Sequence, residues 1–103
     1  MLIAIDDCGR VTLPRGNVLG HRNENGLRVH RVIHPKFEGA YYDIVLDFGG
    51  IQRVIQIYGG EIAPDGDILA EVGDIDAQFR ALKIEEGEML IFKSDIFRVR
   101  VLP

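Results

Sequence analysis

Residues 17 to 26, NVLGHRNENG, place a histidine, an arginine, a carboxylate and three asparagines between two apolar runs. Acid–base chemistry needs such types, but so does a turn. Asn23, Glu24, Asn25 and Gly26 read as a structural turn, with polar side chains bonding to nearby backbone and glycine relieving the chain where a strand begins. No reacting role follows for Glu24. His30 and His34 are four apart, the spacing that puts two metal ligands on one face of a helix. Here Arg31 stands where a zinc-protease helix has glutamate, and LRVHRVIH runs into Pro35 as a strand. On a strand four residues span about 13 Å, too far for one ion to bridge both rings. No metal or cofactor is therefore assigned. Asp65, Asp67, Asp74 and Asp76 lack the alternating ligands and closing glutamate of a calcium loop and read as turn residues. The nucleophile candidates are Cys8, Thr12 and Ser94. None sits in a Gly-x-Ser-x-Gly elbow, and Asp6 and Asp7 oppose thiolate formation at Cys8. These readings point away from an enzyme. Tyr41 and Tyr58 are the aromatic pair that could stack on a sugar, with neighbouring Asp or Gln as hydrogen-bonding groups.

The elements that must position these residues are strands. In YYDIVLDF, Tyr42, Ile44, Leu46 and Phe48 fall on one face and Tyr41, Asp43, Val45 and Asp47 on the other. IQRVIQIY follows after Gly49-Gly50, a pair that permits the positive φ angles of a two-residue hairpin. LIAID and RVTLP flank a turn at Asp7-Cys8-Gly9. EIA and ILAEV flank Pro64-Asp65-Gly66-Asp67 and predict a further short hairpin. MLIFK and IFRVRVL close the chain, with Phe97, Val99 and Val101 facing one way and Arg98 and Arg100 the other. Only DIDAQFRAL, residues 74 to 82, has a helical look, capped by Asp74 or Asp76 and burying Phe79 and Leu82. The pattern predicts an all-β antiparallel sandwich, immunoglobulin-like or jelly-roll-like, of about seven or eight short strands and one short helical segment.

The totals set the outer bounds. The chain has 103 residues, 47% of them hydrophobic, which predicts a single domain over residues 1–103 with one core. A formal charge of −4 argues against a grip on phosphate backbones. One cysteine excludes an intrachain disulfide, and no run approaches the length of a membrane span. The start MLIAIDD lacks the charged opening and long apolar stretch of a secretory signal. The expectation is a soluble protein made in a reducing cytoplasm, binding neither nucleic acid nor membrane. Within it, Arg98 and Arg100 make a local basic stripe beside Ile96, a composition typical of interface centres, and these three residues are the candidate partner-binding surface.

The order of short words from Asn17 onward carries a resemblance. Leu19-Gly20 is followed by Glu24-Asn25 and an alternating strand. Then come YYDIVLDF, a hairpin with Asp65-Gly66, a turn centred on Gly87, and a closing strand preceded by Lys93-Ser94. Over residues 17 to 102 this resembles the N-terminal β-sandwich module of bacteriophage tail and baseplate structural proteins, in particular the upper baseplate protein. The loop departs from that pattern at His21-Arg22-Asn23, where small or apolar residues are more usual. The resemblance implies a non-enzymatic virion component of a phage or prophage, made in the bacterial host cytoplasm. It would act through protein–protein contacts with other tail or baseplate proteins and with copies of itself. The alternative is a carbohydrate-binding module using Tyr41 and Tyr58.

Overall fold

The computed structural model describes residues 1–103. Ten strands form two facing sheets: β1 (Leu2–Ile5), β2 (Val11–Thr12), β3 (Val18–His21), β4 (His30–Ile33), β5 (Tyr41–Phe48), β6 (Ile51–Gln56), β7 (Glu61–Ile62), β8 (Gly73–Glu85), β9 (Glu88–Lys93) and β10 (Phe97–Leu102). The smaller sheet runs β2-β1-β4-β7. The larger runs β3-β10-β8-β5-β6, with β9 also paired to β8. Their inner faces share one hydrophobic cluster. Ile3, Ile5, Val32 and Ile62 come from the small sheet, and Leu19, Ile44, Leu46, Phe79, Val99 and Val101 from the large one. Ile68 and Leu69 fill it from a loop.

The all-β class follows from the alternation, and four details of the expectation are corrected. The strands number ten rather than seven or eight, because Val11–Thr12 and Glu61–Ile62 form two-residue strands too short to show a pattern. The sheets are mixed, because β1 pairs parallel with β4 and β10 parallel with β3. The segment DIDAQFRAL is not helical but the middle of β8, a 13-residue strand. Ile75, Ala77, Phe79 and Ala81 are all buried and two apart, whereas Asp74, Asp76, Gln78 and Arg80 point outward. Two alanines on the inner row weaken the apolar signal of period two, and Phe79 with Leu82 then mimics a helical spacing. Finally, ILAEV forms no strand. The chain turns after Ala63, Ile68 and Leu69 plug the core, and Glu61–Ile62 pairs with β4 instead.

The hairpin at Gly49-Gly50 forms as the spacing predicts, with Phe48 opposite Ile51 and both glycines at positive φ. At the other end of the large sheet, Glu85 stands opposite Glu88, and Glu86-Gly87, both at positive φ, turn β8 into β9. Beyond Lys93 the same line continues as β10. There Lys93 pairs with Arg80 and Phe97 with Ala77, so Ser94, Asp95 and Ile96 stand against only Gln78 and Phe79. One extra residue on that side is a β-bulge.

Candidate interaction surface

The outer face of the large sheet is laid out in rows read directly from the strand register. At one end Tyr41, Leu82 and Ile91 lie abreast, with Ile84 and Met89 beyond them. Tyr41 is 77% exposed, Ile84 73%, Met89 54% and Ile91 52%. The next row is Gln56, Asp43, Arg80 and Lys93. Asp43 accepts two hydrogen bonds from Arg80, at 2.8 and 2.7 Å. Its carboxylate is buried although it stands on the outer face, and the pairing raises the Arg80 pKa above its ordinary value. At the far end the arginines of β10 lie opposite the aspartates of β8. Arg98 reaches Asp76 at 3.4 Å, and Arg100 reaches Asp74 at 2.8 Å. That hydrogen bond lowers the Asp74 pKa and raises the Arg100 pKa.

The candidate partner-binding residues therefore lie together at one place but not as a bare basic stripe. Arg98 and Arg100 point outward and are exposed, each matched by a carboxylate, and Ile96 is exposed on the bulge that precedes them. The signal that would have shown the pairing is Asp74 and Asp76, which alternate like Arg98 and Arg100 once β8 is read as a strand.

Tyr41 and Tyr58 are both exposed. The register that puts Gln56 beside Asp43 continues to an Ile57 N–H donating to the Tyr42 carbonyl at 3.0 Å, so Tyr58 leaves the sheet next to Tyr41. Tyr41 overlooks a depression of about 630 Å³ lined by Asp43, Gln56, Leu82, Lys83 and Met89. A second hollow, of about 460 Å³, lies on the inner side of the β8–β9 arm between Phe37, Ala40, Ala81, Leu90 and Phe92. Both hollows belong to the same projecting hairpin, whose apolar residues sequence reading did not single out. The run Met-Leu-Ile-Phe in β9 was the available signal: four consecutive apolar residues cannot all face one core.

The opening loop is tied down rather than reactive in its geometry. Glu24 accepts from the His21 N–H at 2.7 Å and from Nε and Nη2 of Arg28, both at 2.9 Å. Arg28 holds the Glu24 carboxyl down to about 2, with the His21 bond adding to the effect. Asn23 has φ 71°, Asn25 accepts from the Gly66 N–H at 3.0 Å, and the Gly26 N–H donates to Pro64 at 2.9 Å. The loop thus straps β3 to the segment that carries Ile68 and Leu69.

The other chemistry-bearing residues go separate ways. His30 is buried, with Nε2 donating to the Leu19 carbonyl at 2.5 Å and Nδ1 facing the Met1 amine at 2.9 Å. Burial pushes its pKa below the ordinary value. His34 instead packs on Tyr42 and Phe79, with ring centroids 4.3 and 5.0 Å away. Ser94 is buried in the bulge. Its hydroxyl accepts from the Phe79 N–H at 3.0 Å and donates to the Asp95 carbonyl at 2.8 Å, so both of its roles are structural. Cys8 is exposed in the β1–β2 turn, and its N–H donates to Asp6.

No family model and no curated protein matches this sequence. Among solved structures, the chain is similar to the N-terminal domain of phage TP901-1 ORF48. The TM-score is 0.61 and the identity 19%, over 99% of this chain and 97% of that one. At that identity the likeness is one of fold, and at that level it meets the resemblance to a phage module drawn from the short words of the sequence.

Proposed function

We infer that this chain is a structural or assembly module of a phage or prophage virion, of the tail or baseplate, and that it works by protein–protein contact without catalysing a reaction. The observation that carries this reading is the fold shared with the phage domain along nearly the whole length of both chains. The hydroxyl of Ser94 is committed to the bulge, and Cys8 sits beside two carboxylates, which fits a non-enzymatic role. The contact surface is the outer face of the large sheet, with Ile96, Arg98 and Arg100 at its charged end. Ion pairs on an open sheet face favour partner choice over raw affinity, because a partner must match or replace each charge.

The test is composition of the particle. Mass spectrometry of purified phage particles should find the chain in fixed proportion to tail proteins, and its absence from them sinks the reading. The double substitution Arg98→Ser and Arg100→Ser should block entry into tails while leaving the far-ultraviolet circular dichroism unchanged. Normal entry by that variant moves the contact elsewhere on the molecule.

A second reading, carbohydrate binding, is favoured by the position of exposed Tyr41 over the depression that holds Asp43 and Gln56. Binding on a glycan array that disappears in Tyr41→Ala would support it.

A further inference from the structure

We propose that the free edge of β9 is a self-association site, at which two copies of this chain pair strands Glu88–Lys93 antiparallel about an axis through Leu90. One edge of β9 is bonded to β8 and no strand of this chain covers the other. The Ser94 N–H donates to the Phe79 carbonyl, toward β8. By the alternation of an antiparallel ladder, Phe92, Leu90 and Glu88 also turn their backbone groups to β8, and Met89 and Ile91 turn theirs to the open edge. Natural edges are blunted by proline, by a covering loop or by charge. Here the centre of the edge is Met89, Leu90, Ile91 and Phe92, and the first three are exposed.

Symmetry then fixes the register. A two-fold axis that makes two edges antiparallel stands perpendicular to the sheet and keeps each face on its own side, so the axis must pass through a residue rather than between two. An axis through Met89 would need the backbone of Gly87, which the β8–β9 turn holds at positive φ, and an axis through Ile91 would need that of Lys93. The β1–β2 turn closes that position: a Cβ on Gly9 would lie 3.0 Å from the Lys93 carbonyl oxygen, and the Asp95 N–H donates to the Gly9 carbonyl at 2.7 Å. An axis through Leu90 uses only Met89 and Ile91, which exchange about four hydrogen bonds with their counterparts. It sets Met89 against Ile91 of the second copy on the outer face, and Leu90 against Leu90 on the inner face.

Charge favours the same arrangement. The tip of the arm carries Glu85, Glu86 and Glu88, and its base carries Lys93. Antiparallel pairing keeps the acidic tips of the two copies apart, at opposite ends of the paired edge, whereas parallel pairing would put them together. The occupant that matches this edge is therefore another copy of the edge itself, reversed in direction.

The test is independent of the virion reading. Analytical ultracentrifugation of the full chain from low micromolar to millimolar concentration should show a monomer–dimer equilibrium, abolished by Ile91→Lys with circular dichroism unchanged. In a Cys8→Ser background, Leu90→Cys should give a reducible dimer under mild oxidation, because a non-hydrogen-bonded pair brings Cα atoms to about 4.5 Å, within disulfide reach. Ile91→Cys, displaced by two residues from its own copy, should not. A monomer at every concentration, or equal cross-linking at both positions, overturns the proposal. A monomer found in phage particles would leave the virion reading standing, and a dimer absent from them would remove only that reading.

Discussion

Asp43 stands at a strand position that alternation assigns to solvent, yet its carboxylate is buried and accepts from Nε and Nη2 of Arg80, one bond to each oxygen. A pair of this kind is a weak source of net stability, because desolvation offsets much of the attraction, but loss of one member strands the other. Arg80→Ala should therefore cost about 2–4 kcal/mol in urea denaturation, while Asp43→Val combined with Arg80→Leu costs clearly less than the two single changes added together. Additive losses would show that the two groups do not act as a pair. His30 gives a second measurable consequence. Its folded pKa lies below the ordinary 6.5, through desolvation first and then the Met1 amine and Arg28 charges, against the favourable bond to Leu19. The unfolded chain then binds the proton more readily, so the His30 contribution is complete above about pH 6.5 and falls as the pH drops toward the folded pKa, while the Met1 amine, lowered from 8.0 chiefly by burial, starts the same decline at higher pH. Glu24 acts further down: its contribution is present above 4.5 and is lost as the pH falls toward about 2. The melting temperature followed between pH 8 and 5 should decline, and His30→Asn should flatten that limb. A wild-type profile flat over the range would mean that His30 is not held neutral by the fold.

At the scale of elements, β8 organises the large sheet: β5 lies along one side of it, and β9 and β10 follow end to end along the other. The join between β9 and β10 depends on Ser94, whose hydroxyl replaces the carbonyl that would otherwise accept from Phe79. Ser94→Ala should leave that buried N–H without a partner and cost about 1–3 kcal/mol. Ser94→Thr keeps the oxygen and, if its added methyl is accommodated, should retain more stability than the alanine variant. Equal stability of wild type and alanine variant would mean that the bulge closes some other way. The bulge also explains what a sequence reader can and cannot see. The alternation in YYDIVLDF and FRVRVL, and the glycines between β5 and β6, were legible because each strand carries its own two-faced pattern and its own turn chemistry. In β8 the inner row contains Ala77 and Ala81, too small to stand out, and the strand is recognisable only from its partners. ILAEV shows the converse: Ile68 and Leu69 are apolar because they plug the core from a loop, and no ladder uses them. Of the candidate site, the outward direction of Arg98 and Arg100 was legible. Their carboxylate partners are hidden, since Asp74 and Asp76 belong to β8, whose small inner residues Ala77 and Ala81 obscure its alternation.

For the molecule as a whole, both parallel pairings join segments distant in sequence: β1 lies beside β4 in the small sheet, and β3 beside β10 in the large one. Parallel neighbours need long crossovers, so neither sheet is complete until the intervening chain has been placed. The closing strand is tied in on several counts. Phe97, Val99 and Val101 enter the core, the Arg22 N–H donates to the Leu102 carbonyl at 2.7 Å, and the Arg100 N–H donates to Asn17 at 2.8 Å. The opposite extreme is the β8–β9 arm in a molecule measuring 45 by 27 by 23 Å, where Ile84, Met89, Leu90 and Ile91 are exposed and the small sheet contributes no pairing. Opening the arm withdraws Phe92 from the edge of the Phe79 ring, whereas freeing β10 removes three core side chains at once. Stability should accordingly be graded along β8. In hydrogen exchange, amides of Ala77, Phe79, Ile44, Leu46 and Val99 should exchange only through global unfolding, and their opening free energy should equal that from urea denaturation. Amides of Met89 and Ile91, directed to the open edge, should exchange rapidly in dilute protein and become protected as concentration rises and the edges pair. Uniform protection along β8 and β9 at low concentration would show a more rigid arm than its exposure implies. Protection of Met89 and Ile91 that does not change with concentration would separate that rigidity from self-association.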